Sequence, residues 1–136
     1  MPKRRRPNER RAVTHQVTGW KLDPAGRAAL LGRVQPRYER LVADHVTLRF
    51  ATDEDTPLPV ETEGEVIGVA DDDAGVQALV VRIAGTTERG DGSQFHITWS
   101  LGPDRKAKES NDVIAARGWT AIEAMRIGLI PARWDR

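Results

Sequence analysis

The chain has 136 residues, of which 39% are hydrophobic and 30% are charged, and it contains no cysteine. This length is enough for one domain with its own hydrophobic core, and no apolar run approaches the roughly 18 residues that a membrane span needs. The lack of cysteine excludes disulfides, thiolate metal ligands and cysteine nucleophiles, and with no secretory signal we expect a cytoplasmic protein without membrane association.

Charge is distributed unevenly along the chain. Residues 1–11 hold six basic residues and one acidic residue, net +5, whereas the rest of the chain holds 15 basic and 19 acidic residues, net −4. Such a segment cannot bury apolar surface, so we expect residues 1–11 to form a disordered basic tail and residues 12–136 to form a single domain. The tail either attracts phosphate backbones in a salt-dependent manner or only aids solubility, and both interpretations stay open.

The first predicted elements are a strand and a helix. Residues 12–20 carry β-branched side chains at strand-like spacing. Asp23 and Pro24 then stand where the N-cap and first turn of a helix prefer them, so a helix is predicted over residues 24–35, and a proline directly after it ends it. After a short irregular stretch, residues 45–51 alternate between polar and apolar side chains, as a strand does.

Three strands and a helix are predicted in the second half. Residues 60–70, 76–85 and 93–101 are strand-like and separated by turn-rich stretches, which favours an antiparallel meander. Residues 109–118 predict a short helix ended by glycine. Residues 119–134 are ambiguous: alanine, glutamate and methionine favour helix, whereas isoleucine and leucine beside a glycine and a proline favour a terminal strand, which we prefer.

Two of the predicted strands carry the same short pattern. HVTLRF at 45–50 and HITWSL at 96–101 both read histidine, aliphatic, threonine, hydrophobic, whereas a valine stands two residues after His15. Alternation predicts polar faces that hold His45, Thr47 and Arg49 in the first strand, and His96, Thr98 and Ser100 in the second. The opposite faces, predicted to be core, hold Val46, Leu48 and Phe50, and Phe95, Ile97, Trp99 and Leu101.

Two imidazoles that face one cleft can divide acid–base work. One accepts a proton while the other donates one, which is what opening a phosphodiester requires. Threonine hydroxyls beside them are suited to holding phosphate oxygens. A lone histidine of this kind is more often simply exposed, and a metal site is a competing interpretation, although two histidines supply too few ligands at a recognised spacing.

The paired motifs resemble the signature of the two-histidine phosphoesterase superfamily. Residues 18–31 are similar to the family's opening strand and first helix, and KESN at 108–111 resembles a Ser–Asn loop in the cyclic phosphodiesterase domain of fungal and plant tRNA ligases. The resemblance extends over residues 12 to about 131. It implies a bilobal α+β fold in which two antiparallel sheets line a central groove with helices outside, and it favours strand for residues 119–134.

The resemblance also implies an activity. The expected reaction is metal-independent opening of a 2′,3′-cyclic phosphate, at an RNA end or on a nucleotide, to a 2′-phosphate, with no cofactor. By analogy His96 would activate water, His45 would protonate the departing 3′-oxygen, and Thr47 and Thr98 would hold the phosphate. The two histidines exchange roles if the product is a 3′-phosphate.

Other functions stay open beside this one. Members of the superfamily also open ADP-ribose cyclic phosphate, ligate RNA through 2′,5′ bonds or trim RNA ends as exonucleases. A module that binds RNA-end or nucleotide phosphate without turnover is an alternative of a different class. The sequence contains no kinase or ligase motif, so a role in RNA repair would need separate enzymes as partners, and we expect the chain itself to be a monomer.

Several residues outside the paired motifs are further candidates for substrate contacts. Residues predicted to touch phosphate or base are Arg49, Ser100 and Ser110. The aromatic residues considered for base stacking are Trp20 and Tyr38. Two lysines that would extend an RNA track, or are simply solvated, are Lys106 and Lys108.

Overall fold

The computed structural model describes residues 15–136, which form seven β-strands and two α-helices. The strands are β1 (Gln16–Leu22), β2 (Arg40–Leu41), β3 (His45–Thr52), β4 (Glu63–Asp71), β5 (Val76–Arg82), β6 (His96–Leu101) and β7 (Thr120–Asp135). The helices are α1 (Pro24–Arg33) and α2 (Ser110–Arg117), and a 3-10 turn (Ala107–Glu109) leads directly into α2. The predicted tail and the start of the first predicted strand lie outside the described residues.

The strands form one open antiparallel sheet in the order β2-β6-β5-β4-β7-β1-β3. The predicted meander is confirmed, because β4, β5 and β6 are neighbours in this order. The predicted α+β class is confirmed as well. No helix within residues 15–136 has both the length and the apolarity needed to cross a membrane.

Both predicted helices are confirmed, although α1 ends at Arg33, two residues before its predicted end. The Asp23 side chain accepts a hydrogen bond from the Gly26 N–H at 3.0 Å and caps α1, which begins at Pro24. Gly118 ends α2 with a positive φ of 68°, and its N–H donates to the Ile114 carbonyl. A left-handed residue of this kind at a helix end is where glycine is favoured.

The ambiguous C-terminal segment is a strand of 16 residues, β7. Residues 120–128 of β7 pair with β4, and residues 129–135 pair with β1. One long strand therefore joins β1 and β3 to the rest of the sheet.

The sheet is buried on both faces at its centre. On β5, Leu79 and Val81 belong to a large cluster with Trp20, Leu30 and Trp99, whereas Ala78 and Val80 belong to a second cluster with Val113 and Ile114 of α2. Alternate residues of a strand point to opposite faces, so α1 and α2 cover opposite faces of the sheet.

Backbone hydrogen bonds bring the start of β3 close to β6, although the two strands are not neighbours in the sheet. After β2, the Val42 and Ala43 N–H groups donate to the carbonyls of Trp99 and Thr98, both at 2.9 Å. Ala43 has a φ of 43°, and at this residue the chain turns away from β6 and enters β3. The first residues of β3 and β6, which carry the two histidines, therefore lie close together.

Candidate active site

A cavity of about 160 Å³ lies between the start of β3, the start of β6 and the 3-10 turn that enters α2. The residues that line it are His45, Thr47, Phe50, Arg89, His96, Thr98, Ala107, Lys108 and Asn111. The two His–Thr pairs come from distant parts of the chain, and the structure brings all four residues to this one cavity.

His96 is held in a defined tautomer by the backbone. Its Nδ1 lies 2.9 Å from the Gln94 carbonyl oxygen, which can only accept, so the proton sits on Nδ1 and the neutral ring keeps a lone pair on Nε2. Burial lowers the pKa of His96, and the positive charges of Arg89 and His45 add to this effect against the Gln94 hydrogen bond. The neutral imidazole is therefore the favoured form near neutral pH.

His45 differs from His96 in having a carboxylate partner. Its Nδ1 lies 3.0 Å from Asp44 Oδ2, and its ring packs on Trp134 with 4.8 Å between centroids. Burial lowers the pKa of His45, whereas Asp44 opposes this through its hydrogen bond and its charge. The imidazolium form of His45 thus has a carboxylate in hydrogen-bond contact, whereas Asp91 acts on His96 only through its charge.

The threonine of the second motif is positioned by Ser110. Thr98 Oγ1 lies 2.8 Å from Ser110 Oγ and donates to the Ala107 carbonyl at 3.3 Å. Ser110 is fully buried and is not one of the residues that line the cavity. Ser110 is the first residue of α2 and contacts Thr98 from the protein interior.

Arg89 is a cavity residue that the sequence patterns did not indicate. It lies in the loop between β5 and β6, its side chain is only 2% exposed, and its Nη1 donates to the Thr47 carbonyl at 3.5 Å. Asp91 pairs with it at 3.2 Å, and hydrogen bonds from Ser93, then from Arg89, lower the pKa of Asp91 to about 2. A buried guanidinium beside the His–Thr pairs favours binding of an anion.

Phe50 and Arg49 do not lie where strand alternation placed them. The pairing of β3 with β1 shifts register after Thr47 and again after Arg49, and the second shift contains Ala51 at a φ of 56°. Phe50 is consequently 45% exposed and lines the cavity rather than the core. Arg49 lines a neighbouring cleft of about 340 Å³ that shares Phe50 and Arg89 with the cavity.

Ser100 is also on the other face from the one predicted. The pairing of β6 with β5 shifts register between Thr98 and Ser100, which changes the alternation after Trp99. The fully buried Ser100 hydroxyl donates to Gln77 Oε1 at 2.6 Å and accepts from the N–H groups of Arg37 and Tyr38. The Leu101 side chain correspondingly joins the second cluster, with α2.

The two aromatic candidates for base stacking are not at the cavity. Trp20 is 1% exposed in the main core, and its indole N–H donates to the Glu61 carbonyl at 2.9 Å. The Tyr38 hydroxyl donates to Asp71 at 2.6 Å. Of the two lysines, Lys108 lines the cavity and Lys106 does not.

No protein-family model matches the chain, and no curated protein or solved structure matches it significantly. Within residues 15–136, no three histidine, aspartate or glutamate side chains converge as ligands for a metal ion.

Proposed function

We propose that this protein is a metal-independent phosphodiesterase that opens 2′,3′-cyclic phosphates at RNA ends or on nucleotides. The observation that carries the proposal is the cavity of about 160 Å³, in which both His–Thr pairs meet beside the buried Arg89. At roughly 30 Å³ per water molecule, this volume corresponds to about five waters, which is room for a phosphoryl group.

The two imidazoles support a division of labour in this reaction. His96 Nε2, with its lone pair, takes a proton from water as the water oxygen bonds to phosphorus. The bond between phosphorus and the 3′-oxygen breaks, and His45, protonated and backed by Asp44, donates its proton to that oxygen. The products are a 2′-phosphate and a 3′-hydroxyl, as the resemblance to the tRNA-ligase domain implies.

The remaining cavity residues suit the charge that develops on phosphate. The Thr47 hydroxyl can donate to a non-bridging oxygen, the Thr98 hydroxyl can do so by turning from the Ala107 carbonyl, and Arg89 supplies a fixed positive charge at the same cavity. Lys108 adds a second cation at the rim. These donors stabilise the transition state without a bound metal ion.

The neighbouring cleft gives room for the rest of a nucleotide. Its volume is about 340 Å³, and it shares the lining residues Phe50 and Arg89 with the cavity. The Phe50 ring is 45% exposed, with the Arg89 and Arg136 guanidinium groups 5.1 Å and 5.7 Å from its centroid, so a nucleobase would stack there beside these cations. This arrangement favours a nucleotide over a bare cyclic phosphate of a small alcohol.

We also infer that the sheet corresponds to the two lobes that the resemblance implies. The supporting observation is β7, whose residues 120–128 belong with β2, β6, β5 and β4, whereas residues 129–135 belong with β1 and β3. In this interpretation each lobe contributes one His–Thr pair, and the cavity is the groove between them.

Turnover of cyclic phosphates in the presence of chelator tests the proposal. We expect the wild-type protein to convert 2′,3′-cyclic nucleotides and RNA with a cyclic phosphate end, with ³¹P NMR identifying a 2′-phosphate product. His45→Ala and His96→Ala should each lose about 10²–10⁴-fold in kcat, the usual contribution of general acid–base catalysis.

His15→Ala is the matched control, because His15 is exposed and does not line the cavity. Its turnover should equal that of the wild type. Tight binding of RNA ends with no product would instead identify a phosphate-binding module. A 3′-phosphate product would exchange the roles of His45 and His96.

A further inference from the structure

Asp44 connects the cavity histidine of β3 to a lysine on β1. Its Oδ2 lies 3.0 Å from His45 Nδ1 and 2.7 Å from Lys21 Nζ. Trp134 of β7 lies against both partners, with its ring 4.8 Å from the His45 ring centroid and 4.7 Å from Lys21 Nζ. Three strands thus contribute to one cluster, Asp44–His45–Lys21–Trp134, that adjoins the cavity.

The carboxylate determines which nitrogen of His45 faces the substrate. An ionised carboxylate only accepts hydrogen bonds, and desolvation of Asp44 is outweighed by Lys21 and His45, which lower its pKa. His45 therefore keeps a proton on Nδ1, and its Nε2 is the nitrogen left for the cavity. His96 is oriented in the same way, but by a neutral carbonyl.

This difference in partners distinguishes the two histidines. A full negative charge beside an imidazole stabilises its protonated form more than a carbonyl dipole does, and an aromatic face favours the cation as well. Lys21 acts in the opposite sense, because it repels the imidazolium and shares the Asp44 carboxylate. The other charged or titratable groups that face the cavity are His96, Arg89 and Lys108.

We propose that Asp44 is the positioning residue that makes His45, rather than His96, the histidine that carries the proton in the active state, and that Lys21 is a second positioning residue that opposes it. Asp44 keeps the proton of neutral His45 on Nδ1 and favours the imidazolium form of His45. Lys21 limits the second effect of Asp44, and Trp134 packs against both His45 and Lys21. The catalytic consequence rests on the proposed function, whereas the protonation state of His45 does not.

Two single variants test this pair, because they should change His45 in opposite directions. Asp44→Asn keeps the shape of the side chain and removes its charge, so the pKa of His45 should fall. Lys21→Met removes the repelling cation, so the pKa of His45 should rise. NMR titration of the histidine Cε1–Hε1 signals in the full chain measures both changes without any substrate.

The activity readout follows from the same change. Above the pKa of His45, kcat/KM of Asp44→Asn should fall about tenfold, and the basic limb of its pH profile should move to lower pH. Lys21→Met should move that limb to higher pH. Glu65→Gln is the matched control: the Glu65–Arg82 ion pair of 2.8 Å is similarly exposed and lies outside the cluster, so its variant should move neither limb.

The outcomes separate this inference from the proposed function. The inference is overturned if both variants move the His45 pKa in the same direction, if neither moves it, or if the His96 signal moves in its place. A wild-type protein that turns over no cyclic phosphate refutes the function, yet the titration of His45 still decides the inference. Turnover whose pH profile is the same in all variants refutes the inference alone.

Discussion

Ser100 and Ser110 illustrate at the residue scale how position decides the role of a hydroxyl. Both are fully buried, and both were candidates for substrate contact. Ser110 contacts Thr98 of the cavity, whereas Ser100 joins Gln77 to the backbone of Arg37 and Tyr38. Neither arrangement is visible in the sequence, because a serine carries no local signal of the partner that tertiary packing gives it.

Replacing each serine by alanine should separate activity from stability. In Ser110→Ala the Thr98 hydroxyl loses the Ser110 hydroxyl and keeps only the Ala107 carbonyl as a side-chain partner, so its orientation is less fixed and we expect kcat/KM to fall about tenfold. In Ser100→Ala three polar groups lose a partner, so the free energy of unfolding should fall by about 1–3 kcal/mol with kcat/KM unchanged. Kinetics and urea unfolding of both variants measure this, and equal losses of activity would contradict it.

At the scale of single elements, β3 departs from simple alternation. Its first three residues follow the predicted pattern, but the register shifts after Thr47 place Phe50 at the cavity and leave Arg49 outside it. Gly19 of β1 lies opposite this irregularity, where a Cβ would be 2.2 Å from the Val46 carbonyl oxygen. Close approach of two backbones therefore requires glycine there.

Gly19→Ala tests this dependence. The added Cβ meets backbone atoms that cannot turn aside, so we expect the free energy of unfolding to fall by about 3 kcal/mol and turnover to fall with it as Thr47 moves. Gly32→Ala is the control, because that glycine is exposed on α1 with no atom within 4 Å of a new Cβ. It should stabilise the protein by about 0.5–1 kcal/mol in urea unfolding. Unaltered stability of Gly19→Ala would mean that the strands adjust freely.

At the scale of the whole molecule, the connections between the strands create the site. The N–H groups of Val42 and Ala43 donate to β6 before β3 begins, and Arg89, in the loop between β5 and β6, donates to the Thr47 carbonyl. As a result, both cavity histidines are partly buried, and water has less access to their rings. Burial then lowers the pKa of each, which couples the site to the stability of the fold.

The stability of the protein should consequently fall as pH drops below the unfolded histidine pKa of about 6.5. Below that value the unfolded chain binds protons at positions 45 and 96 before the folded protein does, so protonation favours unfolding. Urea unfolding at pH 7.5 and pH 5.5 measures the loss. The loss should be smaller in His96→Gln, and an equal loss in that variant would show that other groups cause it.

The local features of this protein follow from its amino-acid sequence alone. The N-cap and proline of α1, the glycine after α2, the apolar meander and the two His–Thr pairs rest on near neighbours in the chain, so composition and periodicity predicted them. Which residues share the cavity depends instead on tertiary contacts. Register shifts in the strands and the course of the loops depend on contacts between residues that are distant in the sequence. Because of these contacts, Arg89 and Phe50 line the cavity, whereas Ser100 and Trp20 lie elsewhere.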